Sequence, residues 1–415
     1  MPNILLIGHH SSVARLLSLP SSSRLHTVYL LEEPSIARET ISPCHADQPH
    51  LGGIVAIRPG KYQQTHQHLE TVTDWHNSVG FDAVIPGREF GVRAAQAAAK
   101  QLRLPFTSDS AVDVCTDKYR LRELCAAADI PQGKFGQVSD AEGVAEFVRK
   151  IGKSVLKPAN RHGSLGVVAV SSPENATEAW GVATEDLGPW ALPDRSLDWT
   201  YLIEEWLDGP QVSIETIVWE KEAIFHNVSL MEFEPEKSML EVAVTVPAPL
   251  SDGVYRDLIK AKEAFLRTAG ANRGIFHSEW KLTPNGPRLI ECASRMPGGL
   301  RPEQILWSWG LNICEAFVDV MSGRRPEVPS HPHSISLVRT LYPSPGVVRG
   351  ITGLRLLEET PTVVHFTNRL SIGDSFDRHP DAWGPTVQYM AVCQSEAELA
   401  STRALLDAEV AIHSK

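Results

Sequence analysis

Glu279 and Glu291 are the residues of this 415-residue chain from which chemistry is most directly argued. Phe276 to Leu282 and Arg288 to Ala293 alternate apolar and polar side chains, and Thr283-Pro-Asn-Gly-Pro287 between them has turn composition, so the stretch predicts a β-hairpin. Pairing about Asn285 sets Leu282 opposite Arg288 and Glu279 opposite Glu291. Carboxylates opposed at roughly 5 Å between Cβ atoms repel unless a cation lies between them. A hard divalent ion such as Mg²⁺ takes carboxylate oxygens and shares its other positions with water and substrate phosphates. Two glutamates on a hairpin are by default a solvated face. Here Arg295 follows four residues after Glu291, and Pro297-Gly298-Gly299 then lets the backbone turn sharply, bringing a guanidinium beside the carboxylates. Carboxylates, metal and arginine are the equipment for handling a phosphoryl group in transfer.

Other stretches carry weaker signals. Thr116 reads as the N-cap of a helix that opens with Asp117-Lys118 and continues through Arg120 and Arg122. Ser154 to Lys157 and Val167 to Val170 read as strands around the small-residue turn Pro158 to Gly166. A lysine at the mouth of such a turn, and backbone N–H groups that approach closely, suit phosphates, and turns of this kind also serve as lids. Tyr201 to Glu205 is a strand running into Trp206-Leu207-Asp208-Gly209. Glu89 sits where a strand hands over to a helix and could reach a substrate, although a helix-start acid favoured by the dipole explains it equally well. His226, His277, Arg301 and several tryptophans are further wall candidates for which core or surface roles stay open.

Positioning these residues takes more than one core, since a chain of this length exceeds one ordinary domain. Asn3 to Ile7, Leu25 to Leu31, Gly53 to Ile57 and Ala83 to Pro86 read as strands of a doubly wound unit, with helices at Lys61 to Val79 and Glu89 to Leu102. No GxGxxG follows the first strand, so this unit, ending near Phe106, is expected to wall a site rather than to hold a dinucleotide. Further strands are expected at Gln211 to Trp219, Ala223 to Leu230 and Glu241 to Val246, with helices at Asp140 to Ile151, Asp252 to Thr268 and Pro302 to Met321. A Pro-rich boundary over 323–332 precedes a last segment with three strands and a closing helix. The formal charge of −11 gives no global attraction to nucleic acid or anionic lipid. The absence of a signal peptide and of any membrane-length apolar run fits a cytoplasmic protein. Cys44, Cys115, Cys125, Cys292, Cys314 and Cys393 show no CxxC spacing and read as reduced thiols.

Taken in order, Asp117-Lys118, Lys157 with the Gly163/Gly166 turn, Glu204-Glu-Trp-Leu-Asp-Gly-Pro210, Glu279, and Glu291-x-x-x-Arg295 with Gly298-Gly299 resemble the ATP-grasp superfamily. The resemblance implies an α/β fold with α+β elements in three parts. These are a Rossmann-like, doubly wound N-terminal domain over 1–106, an ATP-grasp domain over 107–328 with a lid at about 132–206, and a small C-terminal α+β domain over 329–415. It implies that Lys118 and Lys157 contact nucleotide phosphates and that His162, Gly163, Ser164 and Gly166 close over them. Glu204, Glu205, Trp206 and Leu207 would meet the adenine. An acid that commonly holds the ribose falls at Gln211, leaving Gln211 or Glu215 for that work. Glu279 and Glu291 correspond to ligands of one or two Mg²⁺ ions, which Mn²⁺ can replace, and Arg295 to the residue that steadies the phosphoryl group. Lys157, Glu291 and Arg295 are then the catalytic set, and Glu89, His226, His277, Arg295, Gly298, Gly299 and Arg301 the substrate candidates.

Ala293 stands where an asparagine ligand is common, which leaves the second metal open. The Glu-x-Ala-x-Arg form, Pro297-Gly-Gly299 and the stretch 346–353 look most like the carboxylate-amine ligase branch that includes L-amino-acid and dipeptide ligases. The resemblance implies an ATP-dependent, ADP-forming ligase that joins small carboxylate and amine substrates, as in antibiotic biosynthesis. Primary-metabolic ligases or transformylases, biotin-type carboxylases and a non-catalytic ATP-binding regulator are the alternatives. A homodimer is compatible with it; nucleic-acid and membrane partners are not expected.

Overall fold

Four short apolar strands, Asn3–Ile7, Thr27–Glu32, Ile54–Pro59 and Ala83–Pro86, form a parallel sheet in the spatial order third, second, first, fourth. The structure, a computed structural model, describes residues 2–17, 26–34, 54–63, 67–161, 163–185, 200–234, 240–376 and 386–415, so Cys44 and His162 fall outside the description. Ile4 to Ile7 are fully buried, as expected of a parallel strand covered on both faces. The strand order turns back between the first and fourth strands, and that switch point is where open α/β sheets form a crevice. Gly8 and Gly87 meet there so closely that a Cβ on Gly87 would collide with the Gly8 carbonyl.

A second sheet is antiparallel, with Phe135–Val138, Tyr201–Glu205, Ser154–Pro158 and Val168–Val170 side by side. Helices Ala141–Ile151 and Ala176–Thr184 back it through Val144, Val148, Leu156, Ala179 and Ile203.

The largest sheet has eight strands in the order Gly286–Ala293, Gly274–Thr283, Gln211–Trp219, Glu222–Phe233, Glu241–Val246, Ile335–Leu341, Val387–Cys393 and Val363–Asn368. Its last three strands come from beyond the Pro-rich boundary, so the C-terminal segment completes the central sheet. Alternate residues face opposite layers. Ile217, Phe225 and Ile275 face helices Arg301–Trp309 and Ile313–Met321 and the N-terminal sheet. Val212, Ile214, Phe276, Trp280 and Leu289 face helices Asp252–Thr268 and Lys118–Ala127. Val363 and Leu357 belong to a separate C-terminal apolar cluster.

Three local expectations change. Thr116 closes the helix Asp109–Cys115, donating its hydroxyl to Val112 O at 2.7 Å, and Asp117 is the cap of the next helix, accepting from the Tyr119 and Arg120 amides. The Pro302 to Met321 stretch splits into two helices at Gly310, which takes the left-handed conformation. A small sheet of Gly346–Thr352, Ser375–Phe376 and Ala411–Ser414 has no counterpart in the sequence reading, because two of its strands are very short and all are paired over long separations. Among the described residues no helix is long and apolar enough to cross a membrane.

Candidate active site

The hairpin forms with a tighter turn than expected: Thr283 pairs with Gly286 and Leu282 with Pro287. An unbroken ladder from that turn would put Glu279 opposite Ile290 and drop Glu291 opposite Ser278, on the other face of the sheet. A β-bulge between the Trp280–Leu289 and Glu279–Glu291 pairs absorbs Ile290 as the extra residue. Glu279 and Glu291 therefore do face one another, the pair expected from the sequence, reached through a tighter turn and a compensating bulge.

Around Glu291 the charges are paired. Lys118 Nζ lies 3.1 Å from Glu291 Oε2 and donates to Arg161 O at 2.7 Å. Burial pushes the Glu291 carboxyl up, but the Lys118 and Lys157 charges outweigh it and hold the group at about 2. Lys157 reaches Glu204 Oε2 at 2.7 Å, and Arg122 Nε donates to Glu204 Oε1 at 2.6 Å. Burial opposes the ionised Glu204 carboxyl, and the Arg122 and Lys157 charges hold its pKa low all the same. Glu204 is only 7% exposed and both its oxygens are taken, so it orients two cations, and the chain beyond it, Glu205 to Leu207, is half-buried. Glu205 accepts from the Lys134 amide at 3.1 Å, while Trp206 stacks under Lys153 and donates to Asp208 Oδ1.

Glu279 is held from two sides. Gln211 Nε2 donates to its Oε2 at 2.8 Å, and His277 Nε2 lies 3.5 Å from its Oε1. Gln211 thus spends its amide on the candidate metal ligand. His277 Nδ1 meets Glu215 Oε1 at 2.9 Å, and Glu215 also accepts from Ser213 and Asn227. Glu215 is 0% exposed, which removes it as a ribose ligand. An ionised carboxylate this deep is tolerable only because it is hydrogen-bonded on every side. Burial opposes a His277 cation, yet the hydrogen bonds to Glu215 and Glu279 raise its pKa. His226 is the candidate the fold excludes. It bonds Thr216 and approaches Glu263 of helix Asp252–Thr268, on the opposite face from Glu215, because one residue along a strand reverses the side chain.

Arg295 donates through Nε to Glu89 Oε2 at 2.7 Å and through Nη1 to Met296 O, so the hairpin and the crevice of the N-terminal sheet meet in a half-buried ion pair. His10, in the loop just beyond the first strand, reaches Pro297 O at 3.0 Å, and Ser12 donates to Glu303 and to Gly299 O. Gly298 and Gly299 therefore lie on this seam. Arg301 is buried and pairs with Glu241, with Glu215 and Glu279 close enough to add to its charge stabilisation. Sequence reasoning placed Arg122 on its helix without a role. Its spacing of four from Lys118, which sets both on one helix face, was the available signal.

The turn after Lys157 brings Gly163, Ser164 and Gly166 into left-handed backbone, with φ of 67°, 58° and 73°. A Cβ on Gly166 would come within 2.9 Å of Ala183 O, so this position requires glycine. Among the described residues no three His, Cys, Asp or Glu side chains gather into a metal cage. Glu279 and Glu291 alone fit an ion such as Mg²⁺, which commonly takes one or two carboxylates and completes its shell with water and phosphates. The cation already paired with Glu291 shows that this position accommodates positive charge.

Comparison with known proteins bears on the fold and the family. Residues 153–303 match a family model described as the ATP-grasp domain. Carnosine synthase 1 of Homo sapiens is 28% identical over 175 residues, 41% of this chain and 21% of that protein. Dapdiamide A synthase of Enterobacter agglomerans is 24% identical over 243 residues, 57% of this chain and 55% of that protein. The chain thus spans less than two thirds of the length of either curated relative. The crystal structure of L-amino acid ligase from Bacillus licheniformis superimposes with a TM-score of 0.79 at 18% identity, covering 100% of this chain and 99% of that one. Residues 153–303 therefore match an ATP-grasp domain, and the whole chain takes a fold shared with an L-amino acid ligase.

Proposed function

We propose that the protein is an ATP-dependent, ADP-forming ligase that joins a carboxylate to an amine, acting on amino-acid or dipeptide-like substrates. The observation that carries this reading is the meeting of three pairs at one crevice: Lys118 with Glu291, Lys157 with Glu204, and Arg295 with Glu89. The first two pairs equip the site for a nucleoside triphosphate, and the third faces it toward the N-terminal sheet, where a small acid can enter.

In this reading Lys118 and Lys157 neutralise nucleotide phosphates, and the turn around Gly163, Ser164 and Gly166 offers backbone N–H groups to them. Glu279 and Glu291 would hold a Mg²⁺ ion, which would supply positive charge to the nucleotide phosphates. A substrate carboxylate oxygen attacks the γ-phosphorus, ADP leaves, and the acid is now an acyl phosphate. Arg295, held in place by Glu89, stabilises the charge that develops on the transferring group. The amine then attacks the acyl carbon, inorganic phosphate leaves, and the amine proton passes to solvent or to phosphate. Among the residues at the site no side chain is needed as a covalent nucleophile.

Amine-dependent release of ADP and phosphate, assayed over pairs of amino acids, is the expected result. Release of AMP and pyrophosphate would overturn the reading, and turnover on bicarbonate and biotin without an amine would move it to the carboxylase alternative.

A further inference from the structure

We infer that Arg122 is a positioning residue for metal binding, acting on Glu291 through the β-bulge at Ile290; this rests on the reading of Glu279 and Glu291 as metal ligands. Arg122 is 1% exposed and directs its guanidinium into three separate elements. Nε takes Glu204, Nη1 takes Leu289 O at 2.9 Å and Gln132 Oε1 at 3.2 Å, and Nη2 takes Ile290 O at 2.5 Å. Leu289 and Ile290 are the residues at which the hairpin ladder breaks register.

A bulge leaves backbone groups without their ladder partners, and buried carbonyls must find others. The planar fork of an arginine meets two adjacent carbonyls at once, whereas a lysine ammonium supplies a single point of charge. The bulge is also what turns Glu291 to the face shared with Glu279. Arg122 thus holds the backbone conformation on which the carboxylate pair depends, and it does so from a helix whose first residue, Lys118, pairs with Glu291 directly. Its other arm shares Glu204 with Lys157, so one guanidinium ties the metal hairpin to the strand that orients a phosphate-binding lysine.

The test separates the two arms. Mn²⁺ titration of the nucleotide-free protein, followed by electron paramagnetic resonance, reads the carboxylate pair, and ATP binding in EDTA reads the lysines. Groups that orient metal ligands typically alter affinity by about 10–100-fold. Arg122→Lys is expected to weaken Mn²⁺ binding by about tenfold or more on this basis. Glu204→Gln keeps the bulge clamp and is expected to weaken metal-free ATP binding while leaving Mn²⁺ affinity within about twofold. Glu291→Ala is the reference that loses Mn²⁺ binding. Unchanged Mn²⁺ affinity in Arg122→Lys, with Glu291→Ala deficient, would overturn the role of Arg122. Normal Mn²⁺ binding in Glu291→Ala would instead overturn the metal reading itself. Should Arg122→Lys not fold, the double variant Arg122→Gln with Glu204→Gln removes the guanidinium and the buried carboxylate together, and its Mn²⁺ affinity decides by the same criterion.

Discussion

The proposed nucleotide end and the proposed substrate end of the site are held in opposite ways. At the nucleotide end Lys118, Arg122, Lys157, Glu204 and Glu291 form ion pairs, all from between residues 118 and 291, with Arg122, Lys157 and Glu204 buried and Lys118 and Glu291 half-buried. At the substrate end Arg295 meets Glu89, His10 meets Pro297 and Arg301 meets Glu241, and the first two of these contacts join segments more than 200 residues apart. On the proposed reading, phosphate binding would be an internal property of the central region, and the acid pocket would form only once the N-terminal sheet has packed against the hairpin.

Glu291→Ala should produce the largest effect on this comparison, abolishing turnover by removing a metal ligand; measurable wild-type turnover would detach the hairpin from the nucleotide end. Next, Arg295→Ala is expected to lower kcat by about 100-fold or more, the usual scale for losing a group aimed at developing charge, with a smaller rise in KM for ATP. A change confined to KM for ATP would move Arg295 to ground-state nucleotide binding and blur the two ends. Glu89→Gln weakens a charge-assisted bond of about 1.5–3 kcal/mol, so kcat/KM for the acid should fall roughly tenfold or more while ATP binding stays as it was. Equal losses for acid and ATP would show that the ends are not independent.

The smallest expected effect is on stability. Burial holds His10 at about 4, below its ordinary 6.5, despite its bond to Pro297. The unfolded chain therefore takes up this proton first as pH falls. The contribution is complete above about 6.5 and is lost progressively down to about 4, by on the order of 2 kcal/mol once the residual solvent exposure of its half-buried ring is allowed for. Melting temperatures measured from pH 7 to 4.5 should decline, and His10→Gln should flatten the decline. His226, also held at about 4 by burial on the far face of the sheet, leaves a residual slope. An unchanged slope in His10→Gln would mean that this seam does not sense pH.

Local pattern determined a large part of the molecule. Alternation placed the strands of the hairpin and of Gln211–Trp219 and Glu241–Val246, helical periodicity placed Asp252–Thr268, and the spacing from Lys118 to Arg295 carried the resemblance to the ATP-grasp superfamily. These are short-range properties, since side-chain period and turn chemistry act within a few residues. Tertiary structure decided what such patterns leave open. A bulge no composition announces restored Glu291 to the face of Glu279, a single step in strand register sent His226 away from the site, and Glu204 and Glu215 became internal partners because burial left their charges no other recourse. The pairing of Arg295 with Glu89 likewise depends on which surfaces pack, and packing is a property of the assembled layers that no stretch of sequence contains alone.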